Sequence, residues 1–64
     1  MKVGNSKNGA YYLQLALNSD FNEYQIKVYT RCGGKLLRTE ILDYFTDDLE
    51  DAETTFEHMK ETLI

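Results

Sequence analysis

At 64 residues the chain has room for one small domain, which buries only ~60% of the surface its unfolded form exposes, so support from a partner subunit is expected. A hydrophobic fraction of 42% with 12% aromatics excludes a disordered chain despite the net charge of -4, and no stretch nears the ~20 apolar residues of a membrane span. Cys32 and His58 are the only residues of their kinds, which excludes an internal disulfide and matches no zinc-binding spacing.

Residues 1–9 (MKVGNSKNG) are polar, rich in Gly, Asn, Ser and Lys, and lack periodic apolar positions. They are expected to form a flexible arm, with residues 10–64 as a single domain. The polar start is unlike a signal peptide, and a cytoplasmic location follows as the default expectation. From Ala10 to Leu17 apolar residues alternate: Tyr11, Leu13, Leu15 and Leu17 to one side, Tyr12, Gln14 and Ala16 to the other. That period of two predicts a half-buried strand. Asn18, Ser19, Asp20 and Asn22 then predict a reversal, with Phe21 folded back over the core edge.

A second strand is predicted over Tyr24 to Arg31, with Tyr24, Ile26, Val28 and Thr30 inward and Gln25, Lys27, Tyr29 and Arg31 outward. Gly33 and Gly34 follow, and two glycines can take the positive φ values of a two-residue hairpin turn without a Cβ clash. With those glycines at its centre, the hairpin places Tyr29 opposite Arg38, Thr30 opposite Leu37, Val28 opposite Thr39, Lys27 opposite Glu40 and Ile26 opposite Ile41. The third strand is expected to run unbroken from Lys35 to Phe45.

Residues 46–64 carry seven carboxylates and one lysine, with Leu49, Ala52, Phe56, Met59 and Leu63 at intervals of three and four. This is an amphipathic helix whose apolar stripe must be covered. Its N-cap is expected at Thr46 or Asp47, the latter forming a capping box with Glu50. The predicted fold is therefore α+β: a three-stranded antiparallel meander in order 1-2-3, with the C-terminal helix packed on one face.

Two surfaces of this βββα unit invite a functional reading. The sheet face away from the helix would present Tyr12, Lys27, Tyr29, Arg31, Arg38, Leu42 and Tyr44, together with Gln14, Ala16, Gln25 and Leu36, with no segment left to cover them. Exposed apolar surface with Tyr and Arg is the composition of a protein contact, and a two-fold contact between copies is the simplest way to bury it. The strand-one edge is a further candidate. On the helix, Asp47, Glu50, Glu57 and Glu61 align as a row of carboxylates about 21 Å long. Such a row ordinarily serves as a solvated face; alternatively it imitates a nucleic-acid backbone and occupies a basic groove on another protein.

A third reading takes the tyrosines and cations of the sheet as a stacking platform for single-stranded nucleic acid. The overall acidity argues against it, since residues 1–45 net +2 but residues 46–64 net -6. Catalysis is not expected: His58 and Cys32 lack companions, and paired acids such as Asp47-Asp48 lie on a helix surface with no concave site. Cys32-Gly33-Gly34 lacks the spacing of a phosphate loop. No cofactor, metal or small-molecule substrate is inferred. In size, acidity and layout the chain resembles small proteins of bacteriophages and mobile elements, some of which inhibit host enzymes by imitating DNA, although no motif carries the likeness. The leading expectation is a non-enzymatic protein-interaction module, and specifically a homodimer.

Overall fold

The computed structural model describes residues 2–63; Met1 and Ile64, the ends of the expected arm and helix, lie outside the described residues. The chain is α+β, an antiparallel sheet with a C-terminal helix on one face, as the sequence predicts. The strands are β1 (Lys2–Asn5), β2 (Tyr11–Asn18), β3 (Glu23–Cys32), β4 (Lys35–Arg38) and β5 (Tyr44–Thr46), followed by helix α1 (Leu49–Thr62). In space they make a four-position meander: β1, β2 and β3 lie side by side, and β4 and β5 share the far edge of β3.

The stretch expected to be a loose arm is instead an edge strand. Lys2 to Asn5 pair with Leu15 to Tyr12, and the following turn is closed by side chains. Ser6, buried, accepts the Tyr11 amide on Oγ at 3.0 Å, and Asn8 Oδ1 accepts the Ala10 amide at 3.0 Å. Ser and Asn bonding to nearby backbone fix such turns without hydrophobic burial, which is why a periodicity reading passes over them. Gly9 completes the turn at φ 77°, in the left-handed region.

The Gly33-Gly34 hairpin forms as expected, with φ of 57° and 82°, and pairs Tyr29 with Arg38 and Thr30 with Leu37. The third predicted strand, however, does not continue. After Thr39, whose amide still bonds Val28 O at 2.8 Å, Glu40–Leu42 coil into a 3-10 turn, and pairing resumes with Ile26 opposite Tyr44 rather than Ile41. The register sum moves from 67 (29 with 38) to 70 (26 with 44), so three residues are looped out. An odd insertion swaps the faces of everything after it.

Leu42 and Tyr44 therefore pack against the core, Phe45 turns outward, and Ile41 stands 91% exposed at the apex of the turn. In an unbroken strand Asp43 would have pointed beneath the helix, an unpaired carboxylate in an apolar layer. Looping out Glu40–Leu42 returns it to the other face, where it is satisfied.

The core comprises Leu13, Leu15, Ile26 and Val28 from the inner sheet face and Ala52 and Phe56 from α1. Met59 and Leu63 pack against it as expected, but Leu49 is half-exposed, and Leu17 and Phe21 also face solvent beyond the reach of the helix. The helix N-cap is Asp48, one residue later than expected: its Oδ1 accepts the Glu50 amide at 2.9 Å and the Asp51 amide at 3.5 Å. Thr46 helps from outside, its hydroxyl accepting the Asp48 amide at 3.2 Å. Asp51 carries out a tertiary task as well, accepting the Tyr44 hydroxyl at 2.7 Å and so fastening β5 to the first turn of α1. That hydrogen bond raises the Tyr44 phenol above its ordinary pKa and lowers the Asp51 carboxyl below its own.

Candidate interaction face

The sheet face opposite α1 is organised by cross-strand rows, because partners in an antiparallel ladder project to the same side. One row crosses the sheet as Asn5, Tyr12, Tyr29 and Arg38; the next holds Val3, Gln14 and Lys27; the third holds Ala16, Gln25 and Phe45. Tyr12, Lys27, Tyr29, Arg31 and Arg38 thus occupy the face that alternation assigns them, and Leu36 joins them. Leu42 and Tyr44 do not belong to this face. They were assigned to it by carrying the alternation through residues 39–43, where the chain departs from the strand.

The first row is a stacked array. The Tyr12 and Tyr29 rings lie 6.0 Å apart, tilted by 49°, within the range of favourable aromatic pairs. Arg31 covers the Tyr12 ring at 5.8 Å and Arg38 the Tyr29 ring at 5.7 Å, both within cation–π distance. Each guanidinium is held at its far end, Arg31 by the side-chain oxygen of Asn5 and Arg38 by Asp43. The order Arg31, Tyr12, Tyr29, Arg38 therefore forms a ridge whose four side chains fix one another.

Asp43 anchors this ridge from below. Its side chain is 4% exposed and accepts three donors: the Val28 amide at 3.1 Å, Gln25 Nε2 at 3.2 Å, and Arg38. The Val28 amide receives a carboxylate oxygen where the interrupted strand would have offered a carbonyl. Burial pushes the Asp43 carboxyl up, but the hydrogen bonds from Arg38, Val28 and Gln25 outweigh it and hold the group below the usual carboxylate range. The same hydrogen bond raises Arg38.

At the other end of the face lies a shallow hollow of about 270 Å³ lined by Ala16, Leu17, Asn18, Ser19, Gln25 and Lys27. It exists because Ala16 is small and sits between longer neighbours. Val3, Leu36 and Phe45 add exposed apolar surface around the face. Val3, Asn5 and Phe45 escape a sequence reading: the first two lie on the unrecognised β1, and the third changes sides with the three-residue insertion.

The strand-one edge named as a candidate contact is closed, because β1 pairs along β2. The predicted acidic row is present only in part. Asp47 precedes α1, while Glu50, Glu57 and Glu61 are exposed on it. Lys2 Nζ lies 3.7 Å from Glu53 and 3.9 Å from Glu57, and Lys60 Nζ lies 3.5 Å from Glu57, so cations interrupt the row at its middle. Cys32 is an exposed free thiol beside the hairpin turn, and His58 is exposed on α1. No helix among the described residues is long and apolar enough to cross a membrane. Comparison with protein-family models, with curated proteins and with solved structures finds no match for this chain.

Proposed function

We propose that this protein is a non-enzymatic interaction module that contacts protein surfaces, and first of all a second copy of itself, through the sheet face opposite α1. The observation that carries the reading is the Arg31, Tyr12, Tyr29, Arg38 ridge, set on a face that no element among the described residues covers. Rigid aromatic side chains braced by arginine lose little freedom on binding, which is what a contact hot spot requires. The face measures about 19 Å across four strands by 20 Å along them, roughly 400 Å² per copy and 800 Å² in all, below the ~1,200 Å² of stable specific interfaces and in the range of weak, transient ones. Weak, transient association is accordingly expected.

Two observations favour this reading over its rivals. Arg38 is paired with Asp43, which leaves Arg31 and Lys27 as the unpaired cations of this face among the described residues and, with the net charge of -4, weakens the single-strand reading. Lys2 and Lys60 divide the helix carboxylates, which weakens the nucleic-acid imitation. The deciding experiment is sedimentation of the wild type and of Tyr29→Asp over a concentration series reaching hundreds of micromolar. The wild type should self-associate and the variant should not, with unchanged circular dichroism. A wild type that stays monomeric throughout overturns the proposal.

A further inference from the structure

The face has unlike ends, and that difference selects an arrangement. The tyrosine ridge stands at one end; the Ala16 hollow lies at the other, four residues along β2, about 13 Å away. Charge follows the same axis. Arg31, Lys7 in the β1–β2 turn and Lys35 at the hairpin turn lie beyond the ridge, whereas Glu23, Asp20 in the β2–β3 turn and Asp47 after β5 lie beyond the hollow. A surface with a ridge and positive charge at one end, and a hollow and negative charge at the other, complements its own reversed image.

Resting on the self-association proposed above, we infer that two copies pack face to face with antiparallel strands, about a two-fold axis lying along the Val3, Gln14, Lys27 row. That axis exchanges the first and third rows. Tyr12 then lies over Ala16 of the second copy, at the open hollow, whose Gln25 and Lys27 side chains are polar partners for its hydroxyl. Arg38 lies over Phe45 of the second copy, and Arg31, one pair further out, over Glu23. The other face-to-face arrangement, with the axis along the strands, sets ridge on ridge and leaves both hollows empty, with Arg31 near Arg31. Aligned sheets cross at about 30°, which staggers these pairs without changing which ends meet.

One contact of this arrangement is unfavourable: Lys27 faces Lys27 at the axis. Its long stem can turn the ammonium to solvent, yet the like charges remain close. Replacing it should therefore tighten the dimer, an outcome that few other contacts would give.

The test is charge complementation between copies, followed by sedimentation. Arg31→Glu and Glu23→Lys should each raise the Kd about tenfold or more, because the two-fold repeats every contact twice. Mixed one to one, they should associate as tightly as the wild type, since each heterodimer contact is again between opposite charges. Arg31 also holds Tyr12 and Asn5, so its variant is first compared with the wild type by thermal unfolding. Lys27→Met, which keeps the stem and lies on the open face, supplies an independent reading: it should lower the Kd several-fold.

A wild type that dimerises while the mixture associates no better than either variant overturns this arrangement and leaves self-association standing. So does a Lys27→Met variant no tighter than the wild type. A wild type that is monomeric throughout removes both.

Discussion

Replacing Asp43 tests the feature on which the divided edge strand depends. In Asp43→Ala the Val28 amide, on a fully buried residue, loses its acceptor, at a cost of about 1–3 kcal/mol. The guanidinium pair adds about 0.5–1 kcal/mol, kept small because the Arg38 side chain is 33% exposed and can turn to water. Gln25 can do the same, so the sum is about 1.5–4 kcal/mol. A 64-residue chain has about 3–10 kcal/mol in total, so this variant should lose a large share of its stability. Asp43→Asn keeps an oxygen for the Val28 amide and should lose only about 1 kcal/mol. Urea unfolding followed by far-ultraviolet circular dichroism gives both values. Equal costs for the two variants, or a cost below about 0.5 kcal/mol for alanine, would refute the argument that Asp43 replaces a strand carbonyl.

The same pair gives a pH signature whose direction follows from the depressed Asp43 carboxyl. A group with a folded pKa below its unfolded value of about 3.9 stabilises the fold above that value, and the contribution is lost as pH falls through the folded one. The gap between the wild type and Asp43→Asn should thus be constant at neutral pH and close in acid; a gap unchanged down to about pH 2 would place the stabilisation elsewhere. Phe56→Ala removes the largest fully buried side chain and should cost about 3–5 kcal/mol in urea unfolding followed by circular dichroism, more than any other variant named here. Asp48→Ala removes the acceptor for two amides at the start of α1 and should cost about 1 kcal/mol in urea unfolding, whereas Asp47→Ala should cost almost nothing.

The parts of the fold that were legible in the sequence are those in which side-chain period and turn chemistry agree. β2 and β3 alternate strictly, and Gly33-Gly34 fixes their hairpin with β4 to the residue. The buried centre of the helix stripe, Ala52 and Phe56, follows from spacing alone. What was hidden is of two kinds. β1 contributes no apolar side chain to the core, so no hydrophobic pattern announces it; its turn is held by Ser6 and Asn8 instead. The break at Glu40–Leu42 is hidden because no Gly or Pro between Thr39 and Phe45 marks a turn, so the hairpin register is carried straight through. Asp43 was the available signal, since the unbroken strand would bury its carboxylate under α1. Most of the candidate face was accordingly visible, Tyr12, Lys27, Tyr29, Arg31, Leu36 and Arg38 among it, while Asn5 and Asp43, which brace the two arginines, became apparent only with the structure.

The way β1 is attached has its own consequence. Gly4 leaves room for the Lys60 stem, whose Cε would lie 3.2 Å from a Cβ placed there, and the ammonium rests 5.5 Å from the Phe56 ring centroid. Beyond that, the strand is fastened to α1 by the ion pairs of Lys2 and by the Lys7 amide on Lys60 O at 2.8 Å. The ion pairs respond to ionic strength, whereas the backbone bond and the oily interior do not. The molecule therefore carries a seam along β1 that can peel back while everything behind it stays folded. Each such fluctuation strips the border of β2 and offers its free amides and carbonyls to the next chain, the first step toward strand exchange in concentrated, salty solution.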